Sequence, residues 1–447
     1  MSGPEQPLRS REWWDNSDNP EMTALYLERY LNFGLTRAEL QSGRPVIGIA
    51  QTGSDLVPCN RHHIQLADRV RAGVRDAGGI PLEFPVHPLQ ETGKRPTAAL
   101  DRNLAYLGLV EVLYGYPIDG VVLTTGCDKT TAACLMGAAT VNLPAIVLSG
   151  GPMLNGYLDG RRAGSGLIIW QSQRLLAAGR IDYAEYMDRV ARSAPSIGHC
   201  NTMGTALSMN SIAEALGMTL PGCAAIPAPY RERAQVAYDT GFRAVQLVRE
   251  GVTPRSIMTR DAFENAIMVA AAIAGSTNCP IHVNAIARHT GVEVTNEDWE
   301  RVGGDIPILA NCAPAGEYLG EDFHQAGGVP AIMHALLAAG RLHGDAMTVN
   351  GQTAGANVAD ARSTNADVIA EYGRPFGPRG GVLVLHGNLF GSGMMKMSVV
   401  TEDLRARYLT SPAVSWRAVV FDGPEDYHHR IDDPELRIDE NCILVVR

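Results

Sequence analysis

Residues 119–151 read DGVVLTTGCDKTTAACLMGAATVNLPAIVLSGG, and the fold class follows from them. Two short apolar runs, VVLTT and AIVLS, enclose a segment (129–141) with helical spacing, so the stretch predicts strand, helix, strand. Neither run alternates polar with apolar residues. That is the pattern of strands covered on both faces, as in a parallel sheet. Toward the N-terminus, RPVIGIA (44–50) and GIPLEFPV (79–86) repeat the pattern, with amphipathic helical stretches near 60–77 and 98–115 between them. Buried strands alternating with helices predict the α/β class, with parallel sheets flanked by helices.

Further outward, residues 1–40 read as a polar N-terminal arm and a short helix, with Ala24, Leu25, Leu27, Tyr30 and Leu31 at helical spacing. The region from about 175 to 275 is mainly helical, most clearly in ERAQVAYDTGFRAVQLVRE (232–250). RPFGPRGG (374–381) is a Gly/Pro-rich boundary, and the strand-like GVLVLHGNLF and AVVFDG follow it. The expected organisation is therefore an arm over 1–40, a large α/β domain over 41–378 and a mostly β C-terminal domain over 379–447. The chain closes on the apolar, β-branched run ENCILVVR, whereas free termini are usually polar and frayed. This predicts an incomplete C-terminal domain and a truncated chain.

The 447 residues can bury a large core, which excludes disordered and disulfide-stapled classes. The net charge of −10 argues against a nucleic-acid or polybasic membrane surface. The N-terminal stretch MSGPEQPLRSREWWDNSDN lacks the apolar segment of a secretory signal, and no apolar run approaches the roughly 18 residues needed to span a bilayer. A cytoplasmic protein is expected, whose 8 cysteines are thiols or metal ligands rather than disulfides.

Three cysteines fall in loops at strand ends or helix starts. Cys59 lies in QTGSDLVPCNRHH, Cys127 in TTGCDKTTAAC, and Cys200 in GHCNTMGTA, where Asn201 or Thr202 is a plausible helix N-cap. A helix N-terminus lowers a thiol pKa and favours thiolate, the form that binds iron. The three are too far apart for any local CxxC rule, and buried packing explains a free cysteine equally well. Cys134, Cys223, Cys279, Cys312 and Cys442, flanked by Ala, Ile or Pro, fit that packing explanation.

Asp128 and Lys129 directly follow Cys127. They read either as an ordinary charged first turn or as a hard-cation site in which Asp128 gives oxygen to Mg²⁺. A desolvated lysine can also add CO₂ to become an anionic carbamate ligand. Glu91, in HPLQETGKRPTAA, could add an oxygen, though alone it is as readily a solvated loop residue. SGGPM (149–153), MGTA (203–206) and GSTN (275–278) are candidate cradles for an acidic substrate, and none fits a dinucleotide or P-loop motif. The pairs His62–His63 and His428–His429 lack metal spacing and read as surface or capping residues.

The segments PCNRHH, TTGCDKTTAACLMGAATVNLPAIVLSGGPMLNG, GHCNTMGTA, AEALGM, FENAI, GSTN and IDENCILVV resemble the dihydroxy-acid and sugar-acid dehydratase family, which includes 6-phosphogluconate dehydratase. The resemblance runs from about residue 40 to the end. Within the family, ALYLERYLNFG, IAQTGSD, FPVHP, AIPAPYRER and FDGPEDYHHRI are most similar to members that dehydrate D-xylonate.

This resemblance implies a hydro-lyase. Cys59, Cys127 and Cys200 would hold an iron–sulfur cluster, [2Fe–2S] in sugar-acid members with [4Fe–4S] left open. Glu91, Asp128 and a carbamylated Lys129 would bind Mg²⁺. It also implies a further carboxylate ligand and a serine base beyond Arg447, and a homo-oligomer, either a dimer or a homotetramer. In the implied reaction Mg²⁺ stabilises the aci-carboxylate formed at C2, and an incompletely coordinated iron takes the C3 hydroxyl, giving a 2-keto-3-deoxy acid. The alternatives are a dihydroxy-acid dehydratase of branched-chain amino-acid synthesis, and an inactive or non-catalytic iron–sulfur-binding fragment.

Overall fold

A computed structural model describes residues 7–91, 98–409 and 415–447. The chain divides into two compact units, one ending at Ser398 and one beginning at Val399.

In the first unit, short helices α1 (Arg11–Trp14), α2 (Pro20–Leu31) and α3 (Arg37–Leu40) lead into an alternating run: β1 (Val46–Gln51), α4 (His63–Asp76), β2 (Ile80–Pro85), α5 (Ala98–Gly115), β3 (Gly120–Thr125), α6 (Asp128–Val141) and β4 (Ala145–Ser149). The four strands form one parallel sheet in the order β2-β1-β3-β4, with Val46 opposite Ile80, Ile47 opposite Gly120 and Val121 opposite Ala145. Every residue of β1, β3 and β4 is buried, as their unbroken apolar runs predict. At the edge, β2 changes to alternating burial after its first two residues. The Asp119 carboxylate ties the arm to the start of the sheet, accepting from Val46 N at 2.7 Å and from Ser10 Oγ at 2.7 Å.

The chain continues through a ribbon of β5 (Gly156–Leu158) and β6 (Arg161–Ala163), then α7 (Leu167–Ala177), α8 (Tyr183–Ala191), α9 (Thr205–Ala215), α10 (Arg231–Glu250), α11 (Pro254–Ile257), α12 (Arg260–Ala272) and α13 (Cys279–Thr290). The helical character expected for 175–275 is present. α4 and α10 pack backbone against backbone. A Cβ on Gly73 would stand 2.0 Å from Tyr238 O, and one on Gly241 would stand 2.2 Å from Val70 O. Unlike the amphipathic α4, α6 is buried along its length from Asp128 to Ala139. A helix enclosed on all sides is apolar all round, so the two charges in its first turn are exceptional. The ribbon β7 (Val382–Leu385) and β8 (Gly393–Lys396) is antiparallel.

The second unit carries helices Glu402–Leu409 and Pro424–Arg430 and a parallel pair, β9 (Arg417–Phe421) and β10 (Cys442–Val446). The last strand is therefore paired over its whole length. His428 and His429 lie in the last turn of helix Pro424–Arg430, at the surface as expected. Among the described residues no helix is long and apolar enough to cross a membrane.

Candidate active site

β1 and β3 are neighbours in the sheet, yet the chain leaves them in opposite directions, toward β2 and toward β4. Such a reversal opens a crevice at the carboxyl ends of the strands, where parallel sheets place ligands. Cys59 follows β1, Glu91 follows β2, Cys127, Asp128 and Lys129 follow β3, and the SGGP loop follows β4. Cys200 arrives from a distant segment. Its neighbour His199 bridges to the SGGP loop, donating N–H to Gly151 O at 3.0 Å and accepting from Met153 N at 2.9 Å.

Asn60, fully buried, joins the first two cysteine loops. Its Oδ1 accepts the Cys127 N–H at 2.9 Å, and its Nδ2 donates to Thr52 Oγ1 at 2.9 Å and Thr130 Oγ1 at 3.1 Å. Three histidines brace the same loops from behind. His62 Nε2 donates to Gly150 O at 2.8 Å, His63 Nε2 to Thr125 O at 2.7 Å, and His199 Nδ1 to Cys200 O at 2.9 Å. The surface position expected for His62 and His63 is incorrect, since both are buried; His62 does stand at the N-cap of α4, though its side chain makes no capping hydrogen bond. A carbonyl only accepts, so each histidine presents its N–H there and leaves its other nitrogen unpartnered. Burial pushes His62 down to about 4 and His199 to about 3, so both are neutral. Fully buried Arg233 adds a further brace, donating to Ser149 O, Cys223 O and Ile226 O.

In front of this frame, Lys129 Nζ donates to Glu91 Oε2 at 2.5 Å and to Asp128 Oδ2 at 2.7 Å. Cys127 Sγ lies 3.2 Å from Asp128 Oδ1. Burial alone would raise the Asp128 pKa. The His282 ring N–H, 3.5 Å away, and the charge of Lys129 outweigh it and hold the carboxyl well below the usual range. Burial alone would lower Lys129, but the Asp128 and Glu91 carboxylates outweigh that and raise it. Glu91 is pushed up, by burial first and then by Asp128. Lys129 is therefore an ammonium here, since the two carboxylates outweigh its desolvation.

The three thiols face the same region: Cys59 is raised by Cys200 and Asp128, and Cys127 by Asp128 and Cys59, in each case after burial. Burial pushes Cys59 up to about 12, and Cys127 and Cys200 also rise. The thiolate expected at a helix start is thus overturned. Cys127 is the N-cap of α6, but desolvation and a neighbouring carboxylate outweigh the helix end. The donor types suit a thiophilic metal beside a hard cation, with the lysine ammonium already between the two carboxylates. Among the described residues, no group of three or more His, Cys, Asp and Glu side chains already surrounds a point where a metal ion could sit.

The remaining sequence candidates fare unevenly. Cys134, Cys223, Cys279 and Cys312 are buried in the core, whereas Cys442 is only partly buried and takes Arg417 Nη2 at 3.1 Å. Neither Asn201 nor Thr202 caps α9, whose N-cap is Gly204. In the SGGPM loop, Gly150 N donates to Thr125 O, Gly151 N to Ser149 Oγ and Met153 N to His199 O. In GSTN, Gly275 N donates to Ala270 O, Ser276 N to Ser208 Oγ and Asn278 N to Ser276 Oγ. Those amides serve the fold rather than an anion. Asn60, His199, Arg233, Arg102 and His282 escaped the sequence reading. For His282 a signal existed, since it stands three residues after Cys279 on the helix that GSTN opens.

Comparison with known proteins gives concordant matches. The family described as dihydroxy-acid/6-phosphogluconate dehydratase matches through its N-terminal part over residues 44–357 and its C-terminal part over residues 367–447. The chain is 60% identical over 444 residues to a D-xylonate dehydratase of Caulobacter vibrioides, covering 98% of this chain and 74% of that protein. It is 46% identical over 441 residues to an L-arabinonate dehydratase of Rhizobium leguminosarum bv. trifolii, with coverage of 98% and 74%. It is 38% identical over 377 residues to a dihydroxy-acid dehydratase of Caldanaerobacter subterraneus subsp. tengcongensis, with coverage of 83% and 67%.

Proposed function

Because the chain belongs to the dihydroxy-acid/6-phosphogluconate dehydratase family, and is therefore a hydro-lyase, we propose that it dehydrates a sugar acid, D-xylonate, to the 2-keto-3-deoxy acid. The observation that carries this reading is the convergence of Glu91, Asp128 and Lys129 beside Cys127, at the carboxyl ends of β2 and β3. Identity of 60% to the D-xylonate enzyme and 46% to the L-arabinonate enzyme, against 38% to the dihydroxy-acid enzyme, supports a hydroxylated, unbranched substrate.

Cys59, Cys127 and Cys200 would hold the iron–sulfur cluster, [2Fe–2S] in this reading, and Glu91, Asp128 and Lys129 would hold Mg²⁺. Bound there, the cluster would supply a Lewis acid for the C3 hydroxyl and Mg²⁺ would acidify the C2 proton. Asp128 contributes a permanently ionised oxygen donor. Glu91, half-exposed at 46%, is the member of the set that an incoming substrate would meet. Lys129 would join as a carbamate once its ammonium loses one proton and the resulting amine adds CO₂ and loses a second, which requires a cation strong enough to displace the ammonium charge from the two carboxylates. Asn60 and the three buried histidines keep the cysteine loops in register while these groups exchange ligands.

We further propose a cytosolic homo-oligomer, dimer or tetramer. Eight free cysteines support a reducing compartment. The outward face of α5 supports assembly, with Leu100, Leu104, Leu107 and Tyr114 exposed at 69%, 58%, 56% and 58%. Light scattering on the parent and on Leu107→Glu tests this, and a monomeric parent would refute it.

The test of the reaction begins with iron and acid-labile sulfide after anaerobic purification, on the parent and on Cys127→Ser. Matching iron and sulfide, lost in the variant, supports the cluster assignment. Keto-acid formation from D-xylonate, L-arabinonate and 2,3-dihydroxyisovalerate in Mg²⁺ then ranks the substrates. A preference for the branched acid would transfer the enzyme to branched-chain synthesis. A folded, iron-loaded protein that turns over none of them would be an inactive relative.

A further inference from the structure

Three side chains from three different helices line up behind the acid–lysine cluster. Arg102 of α5 donates from Nη1 to His282 Nδ1 at 3.1 Å. His282 of α13 is 2% exposed, and its Nε2 lies 3.5 Å from Asp128 Oδ2 at the start of α6. A guanidinium carries no acceptor, so His282 Nδ1 must be the unprotonated nitrogen and Nε2 must carry the hydrogen. That N–H is buried and makes no hydrogen bond, and the Asp128 carboxylate stands 3.5 Å from it. The same Oδ2 is drawn toward Lys129 Nζ at 2.7 Å, which accounts for the separation.

We propose that His282 is a positioning residue for Asp128, with Arg102 fixing its tautomer, so that Asp128 keeps one oxygen oriented for a divalent cation. The proposal rests on the Mg²⁺ reading above and deepens it. A carboxylate free to rotate offers its two oxygens in any order. Here Oδ1 is set against Cys127, and Oδ2 takes the Lys129 ammonium with the unpartnered His282 N–H 3.5 Å away. When a cation displaces the ammonium, the His282 N–H is the donor left to hold Oδ2, and its contact shortens. Arg102 ensures that the donor is present, because an imidazole of the other tautomer would turn a lone pair on the carboxylate. Side chains that orient ligands in this way change metal affinity by about 10–100-fold when removed.

The test uses Mn²⁺ as the probe, its free fraction read by electron paramagnetic resonance, on the full chain as parent, His282→Gln, His282→Asn, His282→Phe and Arg102→Gln. Nitrogen-15 spectra of histidine-labelled parent report the His282 tautomer without metal. His282→Phe is expected to weaken Mn²⁺ binding about tenfold or more, with iron content unchanged. His282→Gln, whose amide can reach the Nε2 position, should stay nearer the parent than His282→Asn, and Arg102→Gln should show both tautomers with intermediate affinity. Parent-like affinity in His282→Phe, or an Nδ1–H tautomer in the parent, overturns the proposal. Should His282→Phe not fold, equal affinity in the Gln and Asn variants does so. A parent that binds no Mn²⁺ overturns the metal reading as well, which separates the two failures.

Discussion

Lys129 Nζ sits 2.7 Å from Asp128 Oδ2, and the two side chains are only 5% and 3% exposed. Adjacent residues at the start of one buried helix thus form an ion pair out of water. Desolvation opposes each charge singly, and each is retained because the other is present. Glu91, from the next strand loop, closes the cluster on its open side.

Removing the lysine should expose that mutual dependence. Lys129→Met leaves Asp128 as a buried carboxylate without its main counter-charge, which costs about 3 kcal/mol or more. Urea unfolding in chelator measures the loss, and millimolar Mg²⁺ should recover part of it. A variant as stable as the parent in chelator would show that the pair is not closed to water.

Acid should weaken the metal-free fold well before carboxylates titrate. His62, His63 and His199 are held neutral by burial, with pKa values below the ordinary histidine value near 6.5. Below pH 6.5 the unfolded chain takes up protons that the folded chain refuses, so stability falls as pH drops toward about 4. Each histidine contributes a slope of up to about 1.4 kcal/mol per pH unit. Glu214 works in the opposite sense. Burial raises it to about 7, so its folded form keeps a proton the unfolded chain has lost, and it gains stability as pH falls. The net expectation between pH 6.5 and 5 is a loss of up to about 3 kcal/mol per pH unit, approached toward the acid end of that window. Equal unfolding free energies at pH 7.5 and pH 5 would contradict buried neutral histidines.

Gly151 should tolerate no side chain. Its φ is +82°, and a Cβ would stand 2.0 Å from Ile226 O and 2.5 Å from Arg233 Nη2. Left-handed strain and a backbone clash together predict that Gly151→Ala loses about 3 kcal/mol or more. Thermal melting of the purified variant checks this, and a melting point within a degree or two of the parent refutes it.

Asn60→Ala should loosen the cysteine loops. It removes three buried hydrogen bonds, including that to Cys127 N, and leaves the backbone donor unpaired. A loss of about 2–3 kcal/mol is expected, with faster iron release from loaded protein. Unchanged iron retention in a destabilised variant would confine Asn60 to the fold.

The four sheet strands were legible in the sequence because each is a short apolar run between turn residues. GIPLEFPV, for example, becomes β2 from Ile80 to Pro85. The positions bearing Glu91, Cys127, Asp128 and Lys129 were equally legible, as polar residues in loops after such runs. The histidines were not. HHI at 62–64 reads as polar surface until the SGGP loop and β3 close over it, and neither is adjacent in sequence.

The sequence by itself determined the strand–helix alternation, the loops that carry thiols and carboxylates, and the family, because local periodicity and motif identity are properties of contiguous residues. The tertiary structure alone decided which loops meet, and with that the charge states. Strand order sets the carboxyl ends of β2 and β3 on the same side of the sheet with β1 between them, and the loop after β2 carries Glu91 across to Lys129. It sets Asn60 against Cys127 and turns α13 so that His282 faces Asp128. A helix start predicts a thiolate at Cys127, and enclosure by the core reverses it. Proximity between distant segments and the loss of water are both consequences of packing, and no single stretch of chain encodes either.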